Sequence, residues 1–424
     1  METTIRHTPL HGWHLSAGAN MADFGGYDMP LWYRSAKSEH LAVLTHAGLF
    51  DTSHMAVVKV TGDGARDLLN WCFTNDLDAC VGRSGKPLEN GRAVYGAFLN
   101  PDGEVLDDAI VFQVKPDIYM VVVNAGMGAD IAAHLKAKIA FTDVAVTDLT
   151  GRLGKIDIQG PNAGKVMAKV LEAPEASFTK LPYFAFKGGC RDLWPEGGTP
   201  VSFKNGAPIL LSRTGYTGEF GFELFMDTAD TVKVWGLLMD AGKPLGLTPC
   251  GLAARDSLRG GAVLPLSHQD IGHWPFINHP WEFALPFTPD NGEFTKIFMG
   301  SDALMKVCSR ADHTYPFVGK DLRKVSLPAE VQDENGETIG EVLTCVTDMG
   351  IGLVDRRIVS IGSPDRPTDF KPKGLCCGFV KVQKTLHPDD LVVLKDQRRK
   401  IEVTITDDIR PDRTARKPIK AMLA

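Results

Sequence analysis

Two adjacent carboxylates, Asp107 and Asp108, stand inside a β-branched, apolar run, EVLDDAIVF at 104–112. A carboxylate withdrawn from water resists ionisation, so one facing a pocket can hold and release a proton near neutral pH. Neighbouring strand residues point to opposite faces, so the pair is not expected to enter one cavity together. On these residues alone, two solvated acids at a strand end are the more ordinary reading. A second stretch, SRTGYTGEFGFELF at 212–225, sets glycines, Tyr216 and Glu219 between a short apolar run and an alternating strand. Gly215 and Gly218 can take positive φ, which allows a tight turn or close approach to a ligand, with Glu219 at its mouth. An ordinary hairpin carrying polar residues explains the pattern equally well. In LTPCGLAARDSLRGG at 247–261, Arg255 and Arg259 fall on one face of a helix ended by glycines. Such a pair could clamp a carboxylate bidentately, while a surface pair bridged to Asp256 is the simpler alternative.

Twelve histidines raise the question of a metal. In LSHQDIGHWPFINHPW, however, His268, His273 and His279 are spaced unlike zinc helices or fingers. The surrounding aromatics and prolines suggest a loop lining a pocket, and no metal is expected. Eight cysteines are scattered without a CxxC pair, which points to reduced, mostly packed thiols. Gly62 and Gly64 lack the third glycine of a dinucleotide fingerprint, and no GxSxG nucleophile motif is present.

The elements that must position these residues follow from periodicity. Strands are expected at 93–100, 104–114 and 118–125, and helices near 129–138 and 161–171. An amphipathic helix in SAKSEHLAVLTHAGLF is expected to close at Gly48. This strand-rich mixture implies α+β layering, and past about residue 310 short strands between Gly/Pro turns imply an all-β domain. The expected division is 1–310 and 311–424, the first part holding two interleaved α+β domains. At 424 residues the chain exceeds one compact core. Its net charge of −6 argues against nucleic-acid affinity. With neither a membrane-length apolar run nor a signal-peptide plan, a cytoplasmic location is expected.

Together these pieces resemble the glycine-cleavage T-protein (aminomethyltransferase) family of tetrahydrofolate-dependent one-carbon transferases. The likeness runs through TPLHGWH (8–14), FGGYDMPLWYRSAKSEHLAVLTHAGLFDTSHM (24–55), NGRAVYGAFLN (90–100), GEVLDDAIVF, MVVVNAG (120–126), IQGPNA (158–163), SRTGYTGEFGFEL and GLAARDSLR. It spans nearly the first 270 residues. The resemblance implies a three-domain ring around a central folate channel, closed by a C-terminal β-barrel. It implies that the turn bearing Tyr216 lines the folate site and that Glu219 accepts hydrogen bonds from the pterin. Tyr95 and Asn124 match positions near the folate, Arg255 an arginine for the glutamyl tail, and Asp108 the essential aspartate. Such a carboxylate can stabilise a cationic carbon, position the attacking nitrogen or shuttle its proton.

Downstream of the arginine helix the chain departs from the family. Where Arg-Leu-Glu and then Tyr-Gly-Gln-Asp are usual, it has Arg259-Gly260-Gly261 and Ser267-His268-Gln269-Asp270. The expected activity moves an aminomethyl carbon from lipoylated H-protein to tetrahydrofolate with ammonia release. The alternative is a folate-dependent demethylase or methyltransferase acting on a small N-, O- or S-methylated compound. A noncatalytic folate-binding protein of the same fold is a third reading, and Asp108, Asn124 and Glu219 count against it.

Overall fold

A computed structural model describes residues 5–80, 85–139, 143–190, 200–288 and 292–424. Its first part is built on two sheets whose strands are nested in sequence. A five-stranded antiparallel sheet runs in the order Arg92–Leu99, Val105–Lys115, Ile118–Val123, Ala56–Thr61, Ala145–Asp148. A six-stranded sheet runs Phe186–Gly188, Leu210–Ser212, Gly221–Asp227, Leu153–Gln159, Ala47–Asp51, Leu247–Pro249. Period-2 geometry explains the near-continuous apolar runs in the first sheet. Tyr119, Val121 and Val123 join the cluster under the helices Ala65–Cys72 and Gly128–Lys136. Met120 and Val122 instead join Phe112, Phe186, Leu210 and Phe225, a core that fastens one sheet to the other. Each such buried side chain stabilises the fold by roughly 1.5–3 kcal/mol.

The C-terminal strands close into a six-stranded barrel: His313–Gly319, Leu375–Val382, Thr338–Asp348, Glu330–Gln332, Leu391–Lys395, Lys400–Ile405. The basic stretch KDQRRK is the turn between its last two strands, as its composition suggested. Beyond the barrel the chain returns to the first part, where Ile419 and Met422 pack against the core of the six-stranded sheet.

The expected strands and helices of the first part are present, with ends moved by one or two residues. Gly48 is a correction, because the helix Ala36–Thr45 is capped at His46 and Gly48 lies inside the strand Ala47–Asp51. A Cβ there would come within 2.4 Å of Val43 and 2.8 Å of the Cys250 sulfur, so this glycine serves close packing.

Candidate active site

The strand Val105–Lys115 pairs with Arg92–Leu99 through a bulge between Phe98 and Leu99, and its ladder to Ile118–Val123 ends at Ala109↔Val123. Asp107 and Asp108 therefore lie past the last rung, where Asn124 leaves its strand. Strand alternation holds to the extent that Asp107 is fully buried and Asp108 only partly. The two carboxylates nonetheless share a partner, because Asn124 reaches both. Its Nδ2 donates to Asp107 Oδ1 at 2.7 Å and to Asp108 Oδ1 at 2.6 Å, and its backbone N–H donates to Asp107 Oδ2 at 2.9 Å. Tyr95, on the neighbouring strand, donates its hydroxyl to Asp108 Oδ2 at 2.8 Å. Ser267 donates to Asp107 Oδ1 at 2.7 Å.

Burial pushes the Asp107 carboxyl up to about 6, although Ser267 and Asn124 stabilise its charged form. Burial and then the charge of Asp107 push Asp108 up to about 7, against the opposing hydrogen bonds of Tyr95 and Asn124. Titrations of such a pair belong to the pair. Both carboxyls of this corner are thus held toward neutrality.

His268 completes the corner. Its Nε2 lies 3.7 Å from Asp107 Oδ1, its side chain is 40% exposed, and its ring centre is 6.4 Å from that of His273. Burial lowers its pKa, with Asp108 opposing and His273 reinforcing that shift. The backbone at His268 has φ +63°, a conformation that favours glycine. The loop that carries it is fastened to the aspartate strand, since the Val105 N–H donates to Gly272 O at 2.9 Å. Sequence patterns set His268 on a pocket-lining loop but could not say what it faced.

The glycine-rich turn joins Leu210–Ser212 to Gly221–Asp227, with Ser212 opposite Glu223. Gly218 takes φ +74°, whereas Gly215 keeps an ordinary φ and is needed for space, since a Cβ would meet Gln159 Oε1 at 2.3 Å. Tyr216 donates its hydroxyl to Pro265 O, and the Arg255 guanidinium sits 4.8 Å over its ring. Tyr216 is near enough to Asp108 for that charge to act on it, so Tyr95, Asp108, Tyr216 and Arg255 fall in one neighbourhood. Glu219 is held elsewhere on the turn, accepting from Thr414 Oγ1 at 2.6 Å with Arg410 Nε 3.2 Å from its Oε1.

The arginine clamp is not formed. Arg255 turns to Asp157 at 2.8 Å, and Asp157 also binds Lys155 at 2.7 Å. Arg259 is not a surface residue either. It is fully buried among Asp256, Asp270 and Thr344, and the expected Asp256 bridge is one of these contacts. Sequence reading also missed Arg410, which is 2% exposed and bonds Asp348 Oδ2 at 2.5 Å. His40 Nε2 lies 3.0 Å from the other Asp348 oxygen. Burial would raise Asp348, but Arg410 and His40 hold its carboxyl far below the usual range. Arg410 in DDIRPDR carries no local signal of this role. Among the described residues, His7, His11 and Asp28 bring possible metal-ligand atoms within 4.8 Å of one another, a grouping that no spacing motif announced.

A family model described as the GCVT N-terminal domain matches residues 10–287. The chain belongs to this aminomethyltransferase family. An aminomethyltransferase of Streptomyces avermitilis is 37% identical over 349 residues, covering 80% of this chain and 84% of the relative. One from Deinococcus deserti is 33% identical over 394 residues, covering 91% and 95%. The fold of this family member is shared with the crystal structure of glycine cleavage system aminomethyltransferase T from Bartonella henselae. The TM-score is 0.74 at 24% identity, over 98% of this chain and 99% of that one. Family membership makes the protein a transferase of one-carbon metabolism, and among the described residues no helix is long and apolar enough to cross a membrane.

Proposed function

We propose that the protein is the T-protein of a glycine cleavage system, passing an aminomethyl carbon from lipoylated H-protein to tetrahydrofolate with release of ammonia. The observation that carries this reading is the Asp107–Asn124–Asp108 corner, where a partly exposed carboxyl titrates near neutrality beside Tyr95. Two further groups are proposed for the folate: Glu219, on the turn, for a donor-rich pterin edge, and Arg255 for an anionic tail. Tetrahydrofolate, when bound, supplies the nucleophilic nitrogen that accepts the carbon. The residues proposed to hold it are Tyr95, Asn124, Tyr216, Glu219 and Arg255, in a channel of the 1–310 region closed by the 311–424 barrel region.

Asp108 is the proposed catalytic residue. With its carboxyl near 7 it can take a proton at Oδ1 or Oδ2 and return it within the working pH range. Asn124 and Asp107 act on it through position and charge. Asn124 fixes the orientation of Asp108, and Asp107 raises its affinity for the proton. His268, 3.7 Å from Asp107 and 40% exposed, lines the open side of this corner.

The test is an assay of purified protein with tetrahydrofolate and aminomethylated H-protein, following ammonia and 5,10-methylenetetrahydrofolate together. Equal production of both is expected. Failure of both, with tetrahydrofolate still bound, overturns the proposed donor.

A further inference from the structure

A large cavity, about 970 Å³, opens beside the strand Phe186–Gly188, away from the aspartate pair. Asp107, Asp108, Tyr95 and Glu219 do not line it. Its walls come from residues 89–92, from the segment after the helix Pro174–Phe178, and from the returning C-terminal segment 416–420. Phe178, Leu181, Phe186 and Ile419 give it an apolar floor.

The charge on its walls is one-sided. Among the described residues, seven Lys or Arg side chains line the cavity against one acid, Glu89. Among the described residues none of the seven has a carboxylate at ion-pair distance. Arg213 is 2% exposed, and its terminal nitrogens donate only to main-chain oxygens, those of Gly221, Ala415 and Lys417. Its Nε and the Arg92 Nε are buried without a hydrogen-bond partner. Burial pushes Arg213 down to about 10 and also lowers Arg92, while burial and then Lys180 lower Lys187. Cations gathered in a concavity in excess of their counter-charge repel one another and focus a positive potential outward. Buried guanidinium groups without carboxylates are uncommon, because a protein seldom leaves a desolvated charge uncompensated.

We infer that this cavity binds a small organic polyanion, with Arg92, Lys180, Arg213 and Lys417 around its charged groups and the Phe178–Phe186 floor under its body. The enclosing shape and volume suit a small molecule, since ligand pockets run to roughly 300–1,000 Å³. Phosphate esters and polycarboxylates share the required chemistry.

Calorimetric titration of the full-length protein with ADP, with γ-linked triglutamate and with uncharged adenosine tests the inference and separates its two sources. At low salt, ADP or triglutamate is expected to bind with Kd below ~100 μM and adenosine not at all. The anion that binds identifies the phosphate or the carboxylate source. Lys180→Glu with Lys417→Glu, both exposed positions, is expected to weaken binding by ~10-fold or more, and Asp108→Asn to leave it unchanged. Circular dichroism verifies that the double variant is folded. Three results overturn the inference: no anion bound below ~1 mM, affinity indifferent to the double substitution, or affinity lost in Asp108→Asn. The last would place the anion at the aspartate corner.

Discussion

Asp108→Asn is expected to abolish transfer and, at alkaline pH, to make the protein more stable. Burial and Asp107 hold the Asp108 carboxyl at about 7, whereas an unfolded aspartate titrates near 4. Between those values the folded chain keeps a proton that the unfolded chain has lost, so stability falls as pH rises through the interval. About three pH units at about 1.4 kcal/mol each give ~4 kcal/mol of destabilisation by pH 8. That value is a ceiling, because part of the shift comes from the charge of Asp107, which is itself lost as Asp107 takes up its own proton near 6. Asparagine keeps an acceptor for Asn124 and offers its amide to the Tyr95 oxygen, so both contacts survive without the charge. Scanning calorimetry of both proteins from pH 4 to 8.5 is the assay. The variant should match the parent near pH 4 and melt higher at pH 8, by up to about 4 °C if the chain unfolds as one unit. A stability difference independent of pH, or a variant less stable at pH 8, would refute the argument that Asp108 carries a strained charge.

Asn124→Ala removes the donor both carboxylates share, so kcat should fall ~100-fold and the acid limb of the pH–rate profile should move to higher pH. An unmoved limb would show that Asn124 does not tune Asp108. Glu219→Gln should weaken tetrahydrofolate binding by ~10-fold or more in calorimetry, with little change in melting because Arg410 keeps Asp348. Unchanged affinity would take Glu219 out of the folate site. Arg259→Met strands Asp270 in the core, and thermal unfolding should show a loss of ~3–5 kcal/mol. A loss below ~1 kcal/mol would mean that the buried pair is dispensable.

The strands carrying Asp107, Asp108, Tyr95 and Asn124 were legible because their apolar runs are long and bounded by turns. The barrel was legible as short strands between Gly/Pro turns. Which acid faced the site was not, because the answer depends on where the ladder to the next strand stops and on a bulge at its other edge. Periodicity gives the alternation, which holds here, but not the Asn124 side chain that bridges the two carboxylates from the next strand's end. The arginines misled for a related reason. Four-residue spacing sets Arg255 and Arg259 on one face, but their partners Asp157 and Asp270 come from a distant strand and from the loop beyond the helix. Gly48 resembled a helix stop because a close-packed glycine and a capping glycine look alike in one sequence. Arg410 and His40, joined through Asp348, were invisible because only the closed fold makes them neighbours.

The returning C-terminal segment also bears on the order in which the chain can assemble. Thr414 and Arg410 hold Glu219, nearly two hundred residues earlier in the chain, and Arg213 binds the carbonyls of Ala415 and Lys417. Domains fold from the N-terminus as they leave the ribosome. The two sheets can therefore assemble while the barrel is still being made, but the turn bearing Glu219 stays unfastened until residues 410–417 have emerged. A chain lacking residues 410–417 would lose the contacts that fasten the turn bearing Glu219.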